Sequence, residues 1–319
     1  MDRKFGILIG LLLLLSPALL ADDGWENRIL SLTWENDAVD GTDKHYTQGA
    51  KILFLSRDDS LPHWLQRFSS TLPALGYETQ AQKFGLGVAQ EIYTPSDLRD
   101  SNILINDRPY AGWLYASFIL QRRGPGPLKM LARETLRLEA GVIGPESQAE
   151  ETQKEWHSVA PQGWSHQLRT EIGLNLFYRR EYLARFTDSN NHWTADFIPH
   201  VGAAVGNVAD YFSLGTSIRL GYNIPNEFSP GSTVGPRWGV YAFSGVDGRA
   251  VLRNIFLDGN SFVPSHHVNR DLLTADFVSG VTLVFKRLEV TVSHTIRSRE
   301  FVGQKAIDSF ASANLTIKF

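Results

Sequence analysis

The sequence has no cysteine among its 319 residues, so disulfides, thiolate metal sites and cysteine nucleophiles are excluded together. It also lacks an excess of either charge. Against 34 Asp and Glu stand 31 Lys and Arg, a formal net charge of −3, which argues against nucleic acid as a partner and against a generally basic membrane-binding patch. Beyond residue 21 no stretch approaches the roughly 18 consecutive apolar residues that a membrane-spanning helix requires. Three catalytic signatures are missing as well. There is no Gly-x-Ser-x-Gly elbow, no His-Glu-x-x-His metal helix and no glycine-rich phosphate loop, which removes the chemistries those motifs carry.

What is present begins with a leader. Arg3 and Lys4 precede an apolar run, then Ser16, Pro17 and a small residue at Ala21, the pattern of a secretory signal peptide over residues 1–21 with cleavage after Ala21. Residues 22–319 then form one exported unit, a length that large β-barrels reach as a single domain. Alternation dominates this unit. Phe212, Leu214, Ile218, Leu220 and Tyr222 alternate with Ser213, Gly215, Ser217, Arg219 and Gly221, and the last strand runs to a terminal aromatic, Phe319. About twelve such segments begin near Arg28, His45, Gln82, Tyr110, Met130, His166, His192, Asp210, Pro236, Arg270, Arg287 and Ile307, each of roughly the ten-residue length of a tilted outer-membrane strand. Small and polar residues fall on one face, and Tyr110, Trp113, Tyr178 and Trp193 fall at strand ends, as in an aromatic girdle. The predicted fold is all-β: a transmembrane antiparallel β-barrel of about twelve strands with both termini in the periplasm, built with the help of the outer membrane's barrel-assembly machinery.

That topology sorts the loops. Residues 37–44, 94–109 and 144–164 lie outside the cell, and residues 56–80 and 122–128 on the periplasmic side. In the long periplasmic connection Pro62, Trp64, Leu65 and Phe68 predict a short amphipathic helix closing the lower end of the barrel.

Polar residues collect at the outer end. The stretch WENDAVDGTDKHYTQG, residues 34–49, reads as a hairpin with Asn36 and Asp37 ending one strand and Thr47 opening the next; alternation puts Asp37 and Thr47 on its polar face. The third outer loop has Ser147 three residues before Glu150, a capping-box spacing that predicts a helix over residues 148–158, stopped by Pro161 and Gly163. Gln153 and His157 are then four apart on one helical face. Imidazole with an ordinary pKa of about 6.5 takes a proton from water at neutral pH. Ester hydrolysis by that route also needs positive charge at the oxyanion, which an oxygen-ligated calcium ion beside Asp37 would supply. In the middle outer loop Arg99 and Arg108 are suited to bind phosphate bidentately; Arg108, beside Asp107 and Pro109, reads more readily as a loop-bracing ion pair.

Taken in order, Asn36-Asp37, Tyr46-Thr47-x-Gly49, the run from Gln90 to Ser96, Asp107-Arg108 with Ala111, Gly141 to Pro145, and Gln153 with His157 resemble the outer-membrane lipid A 3'-O-deacylases. The resemblance implies a twelve-stranded barrel in the outer membrane of a Gram-negative bacterium, with its site facing the outer leaflet. It implies removal of the 3'-linked acyloxyacyl chain from the lipid A of lipopolysaccharide, with His157 activating water and Ca2+ at Asp37 stabilising the oxyanion. Asn36, Asp37, Thr47 and Gln153 would shape that site, and Arg99 would meet the substrate's phosphate or sugar. This sequence departs from the family pattern after His157, where Ser158 to Gln162 include no acidic residue. Two other functions fit an exported barrel: a phospholipase using the same water chemistry, and a non-catalytic channel or binding protein. Gly, Ala and aromatic residues at many inner positions favour a filled interior over a channel.

Overall fold

The computed structural model describes residues 28–37, 45–74, 76–156, 161–187, 192–229 and 238–319. Twelve antiparallel strands close into a barrel in chain order: β1 (Ile29–Asn36), β2 (His45–Leu55), β3 (Ala81–Thr94), β4 (Ala111–Pro125), β5 (Leu131–Ile143), β6 (Glu171–Thr187), β7 (Trp193–Gly206), β8 (Ala209–Tyr222), β9 (Trp238–Asn254), β10 (Leu273–Phe285), β11 (Leu288–Arg297) and β12 (Asp308–Lys318). Closure is made by β1 against β12, from Ile29 opposite Lys318 to Asn36 opposite Ala311. A closed sheet leaves no unpaired edge, the condition for placing backbone amides in hydrocarbon. No helix among the described residues is long and apolar enough to cross a membrane.

The two faces of the wall follow from strand alternation. On β8 the outward side chains Phe212, Leu214, Ile218 and Leu220 are 54–69% exposed, and Ile52, Leu86, Val88, Val246 and Val292 continue the apolar belt around the barrel. The interior is filled, but largely by ion pairs rather than by the small and aromatic residues expected. Arg185 and Arg219 converge on Asp196, Arg249 and Arg297 on Asp276, and Arg122 and Arg180 on Glu134. Long guanidinium side chains span a twelve-strand lumen that small ones cannot fill, and each meets a carboxylate that offsets its desolvation.

Strand starts match the expected positions closely except at β6, where residues 164–166 form a 3-10 turn and pairing begins five residues later than predicted. Strands also run longer than ten residues; β6 and β9 reach 17, so their ends stand beyond the membrane as a rim. The aromatic girdle is only partly as predicted. Trp193 is exposed and clusters with Tyr222 and Trp238, whereas Tyr110 and Trp113 are buried and the Tyr178 hydroxyl donates to the interior Glu134.

The periplasmic helix forms as α1 (His63–Thr71). Leu65 is its buried contact, and Trp64 stacks on Phe118 of β4. Its C-terminal carbonyls are taken by Arg122, which donates to Ser69 O, Leu72 O and Pro73 O from within the barrel.

Candidate functional site on the outer wall

The ladder between β2 and β3 slips once. Tyr46 faces Tyr93, but the next pair is Gln48 with Ile92, so Thr47 is an extra residue in a β-bulge. Below the bulge Ile52 pairs with Val88, both lipid-facing; counting up β3 by twos puts Gln90, Ile92 and Thr94 on that same outer wall. The Thr47 hydroxyl shares a 2.6 Å hydrogen bond with the Thr94 hydroxyl, so the bulge turns Thr47 to the outside of the barrel. This corrects the expectation that Thr47 shares the inner polar face of the hairpin. Asn36 pairs with Gln48 in the same lipid-facing register, and Asp37 follows it, 1% exposed. Polar side chains thus occupy the top of an otherwise apolar wall.

The third outer loop lies against the same wall, over β3 and β4. After β5, Gly144 turns the chain at φ 97° and residues 145–147 form a 3-10 turn. The Gln90 Nε2 donates to Ser147 O at 2.6 Å, pinning the loop to β3. Gly112 permits that approach, since a Cβ there would overlap Ser147 Oγ and Ala149 Cβ. The helix α2 (Ala149–Trp156) follows. It begins without the predicted capping box: the Ser147 hydroxyl donates back to Gly144 O at 2.6 Å, and the first helical amide, from Thr152, bonds Gln148 O. Ser147 is already committed to the turn and is not the residue at the helix boundary.

On its wall-facing side α2 buries Ala149 with Ile92, Leu98, Tyr110 and Trp164. Trp164 reaches in from beyond the helix, and its indole N–H donates to Gln153 Oε1 at 2.8 Å. An indole nitrogen only donates, so the orientation of the Gln153 amide is fixed: Oε1 accepts, and Nε2, buried and without a hydrogen-bond partner among the described residues, is an available donor. The structure therefore brings Asn36, Thr47 and Gln153 to one wall, next to Asp37. His157 lies outside the described residues.

The middle outer loop divides its two arginines. Arg99 is exposed. The Arg108 side chain is buried on the inner side, 5.0 Å over the Tyr93 ring, with Nη1 3.3 Å from Glu300 of the last outer loop. It braces two loops, but its partner is Glu300 and not the adjacent Asp107. Asp107 instead accepts from the amide and hydroxyl of Ser96, at 2.8 and 2.6 Å, and lies 3.2 Å from the His45 Nε2. Burial alone would raise its carboxyl, but these hydrogen bonds and the His45 charge hold it well below the usual carboxylate range.

Sequence reasoning passed over Gln48, Thr94, Trp164 and His45. A signal for the first two existed: polar residues standing in lipid-facing register, where the strand pattern calls for apolar ones.

As to a metal, no group of three or more His, Cys, Asp or Glu side chains among the described residues is arranged to hold an ion. The donors near the top of β1 are one buried carboxylate, Asp37, with the amide of Asn36. Hard oxygen donors of this kind suit calcium rather than a softer transition metal, with water and substrate oxygens completing the shell.

A closed twelve-strand barrel, an apolar outward belt, and a polar cluster on the lipid-facing wall near the rim define an outer-membrane β-barrel protein with a membrane-facing site. The comparisons agree. Residues 7–319 match the family described as outer membrane protein LpxR, and the chain belongs to that family, placing it in the outer membrane. Among solved structures, LpxR from Salmonella typhimurium is 19% identical over 91% of this chain and all of its own, with a TM-score of 0.72. The β domain of the Bordetella autotransporter BrkA is 11% identical over 92% of this chain and 98% of its own, at a TM-score of 0.44. No curated protein matches the sequence.

Proposed function

We propose that this protein is a lipid A deacylase, hydrolysing the ester of the 3'-linked acyloxyacyl chain in the outer leaflet. The observation that carries the proposal is the side of the wall on which Asn36, Thr47, Gln48, Thr94 and Gln153 gather. Polar groups facing lipid at the outer rim meet the headgroup and ester region of an outer-leaflet lipid without its leaving the membrane. A lumenal site would serve a soluble substrate instead.

In this reading His157, four positions beyond Gln153 in the sequence, takes the proton from the attacking water. The Gln153 Nε2 donates to the developing oxyanion, the role its fixed orientation and open N–H support. Thr47 and Asn36 orient the ester against the wall, and Arg99, exposed on the neighbouring loop, meets the phosphate or sugar. Asp37 would anchor calcium, which when bound supplies positive charge beside the oxyanion. The leader over residues 1–21 belongs to the same proposal, so the outer-membrane form is expected to begin at Asp22.

Mass spectra of lipid A from cells with and without the protein test the reading. A mass loss equal to the 3'-linked chain supports it. Lysophospholipid with intact lipid A would make the protein a phospholipase, and no change in either lipid would leave it a non-catalytic barrel.

A further inference from the structure

His45 opens β2 two residues before Thr47 and lies opposite Thr94 in the ladder. Its φ of 65° is in the left-handed region that few non-glycine residues occupy, so its conformation is set by what the side chain holds. It holds two carboxylates. Nδ1 lies 2.7 and 2.8 Å from the oxygens of Asp308, and Nε2 lies 3.2 Å from Oδ1 of Asp107. Ionised carboxylates only accept hydrogen bonds, so a carboxylate at each ring nitrogen favours the doubly donating imidazolium form. Asp308 is fixed in turn by Gln304 Nε2 at 2.9 Å, and the second oxygen of Asp107 is taken by Ser96.

The arrangement is symmetrical about the Thr47 to Thr94 hydrogen bond. Two residues before Thr47 stands His45, two residues after Thr94 stands Ser96, and the single carboxylate of Asp107 joins them. A bulge gives up regular ladder hydrogen bonds at the very residue whose hydroxyl must be placed, so its geometry needs another source of definition. We propose that His45 and Asp107 are positioning residues for this site: they form a charged bracket that fixes the bulge and with it the Thr47–Thr94 pair on the outer wall. The catalytic part of this inference rests on the deacylase reading above.

Asp107→Asn removes the charge that satisfies His45 and Ser96 together, and His45→Gln removes the doubly donating ring. Both are compared with wild type, as full chains refolded in detergent, by heat-modifiable gel mobility, by hydrogen exchange, and by turnover of purified lipid A. Gel mobility should not change. Exchange should rise about tenfold in residues 45–48 and 94–98, and not along β8 and β9, as expected for loss of charge-assisted hydrogen bonds. With lipid A, kcat should fall about tenfold with KM within about twofold, and the loss from Asp107→Asn should vanish in a Thr47→Ala background, since the bracket acts through Thr47. Raised local exchange in a protein whose wild type does not cleave lipid A would uphold the bracket and sink the deacylase reading. Unchanged exchange, unchanged kcat in an active protein, or losses that multiply with Thr47→Ala would overturn the proposal.

Discussion

Replacing Trp164 by phenylalanine isolates the contact that holds α2 to the wall. The ring is 2% exposed and sits 5.0 Å from the Tyr110 ring, and its N–H is the donor to Gln153 Oε1. Phenylalanine keeps the tilted ring contact with Tyr110 and most of the buried area but leaves the Gln153 carbonyl buried without its donor, a cost of about 1–3 kcal/mol. That cost falls on the docked state of α2 and not on the barrel, whose ladder from β1 to β12 closes without the helix. The undocked fraction should therefore rise about 5- to 150-fold. Trp164→Ala also forfeits the ring, and buried aromatic truncations cost about 3–5 kcal/mol, so it should raise the undocked fraction further than Trp164→Phe. Hydrogen exchange over residues 149–156 in detergent micelles reads both variants, with gel mobility before and after heating as the control for the barrel. The expected order of protection is wild type, then Trp164→Phe, then Trp164→Ala, at constant barrel mobility. Equal protection in all three proteins would refute the claim that Trp164 carries the docking.

Other perturbations reach the chemistry and the membrane. His157→Ala and His157→Gln should each lose about 10² to 10⁴ in lipid A turnover at matched folded fraction; near-normal rates would put water activation elsewhere. Calcium chelation should abolish turnover while heat-modifiable mobility stays intact, and full activity in excess chelator would remove the metal from the reading. Leu214→Arg, at a position 69% exposed on the outward face of β8, should cost about 2–4 kcal/mol of stability in bilayers if it lies near the midplane; a denaturant titration showing no loss would move β8 out of the hydrocarbon. Asp107 has a depressed carboxyl, so its contribution is fully present above the usual carboxylate range and is lost only as pH falls through its lowered folded value. Protease resistance of the rim should accordingly hold from neutral pH down to about pH 4, and a loss beginning well above that would contradict the ionised bracket.

The sequence determined the barrel itself. A strand that must show lipid one side and a packed interior the other has to alternate, so the pattern at residues 212–222 and at the C-terminal strand was legible residue by residue, and strand counting gave the order of the loops. The α2 segment was legible too, though not its boundary, because Ser147 had a competing acceptor in Gly144 O that no spacing rule reports. The gathering of polar residues at the outer end could be read from loop order alone. Unbroken alternation puts Asn36, Gln48 and Thr94 on the lipid-facing side, but the side on which Thr47 falls could not be read, because period-two alternation assigns faces only while the register holds, and one extra residue there reverses the assignment. Long-range partners were likewise invisible. His45 and Asp308 are 263 positions apart and Arg108 and Glu300 are 192 apart, and they meet only because closure of the barrel sets the last outer loop beside the first strands.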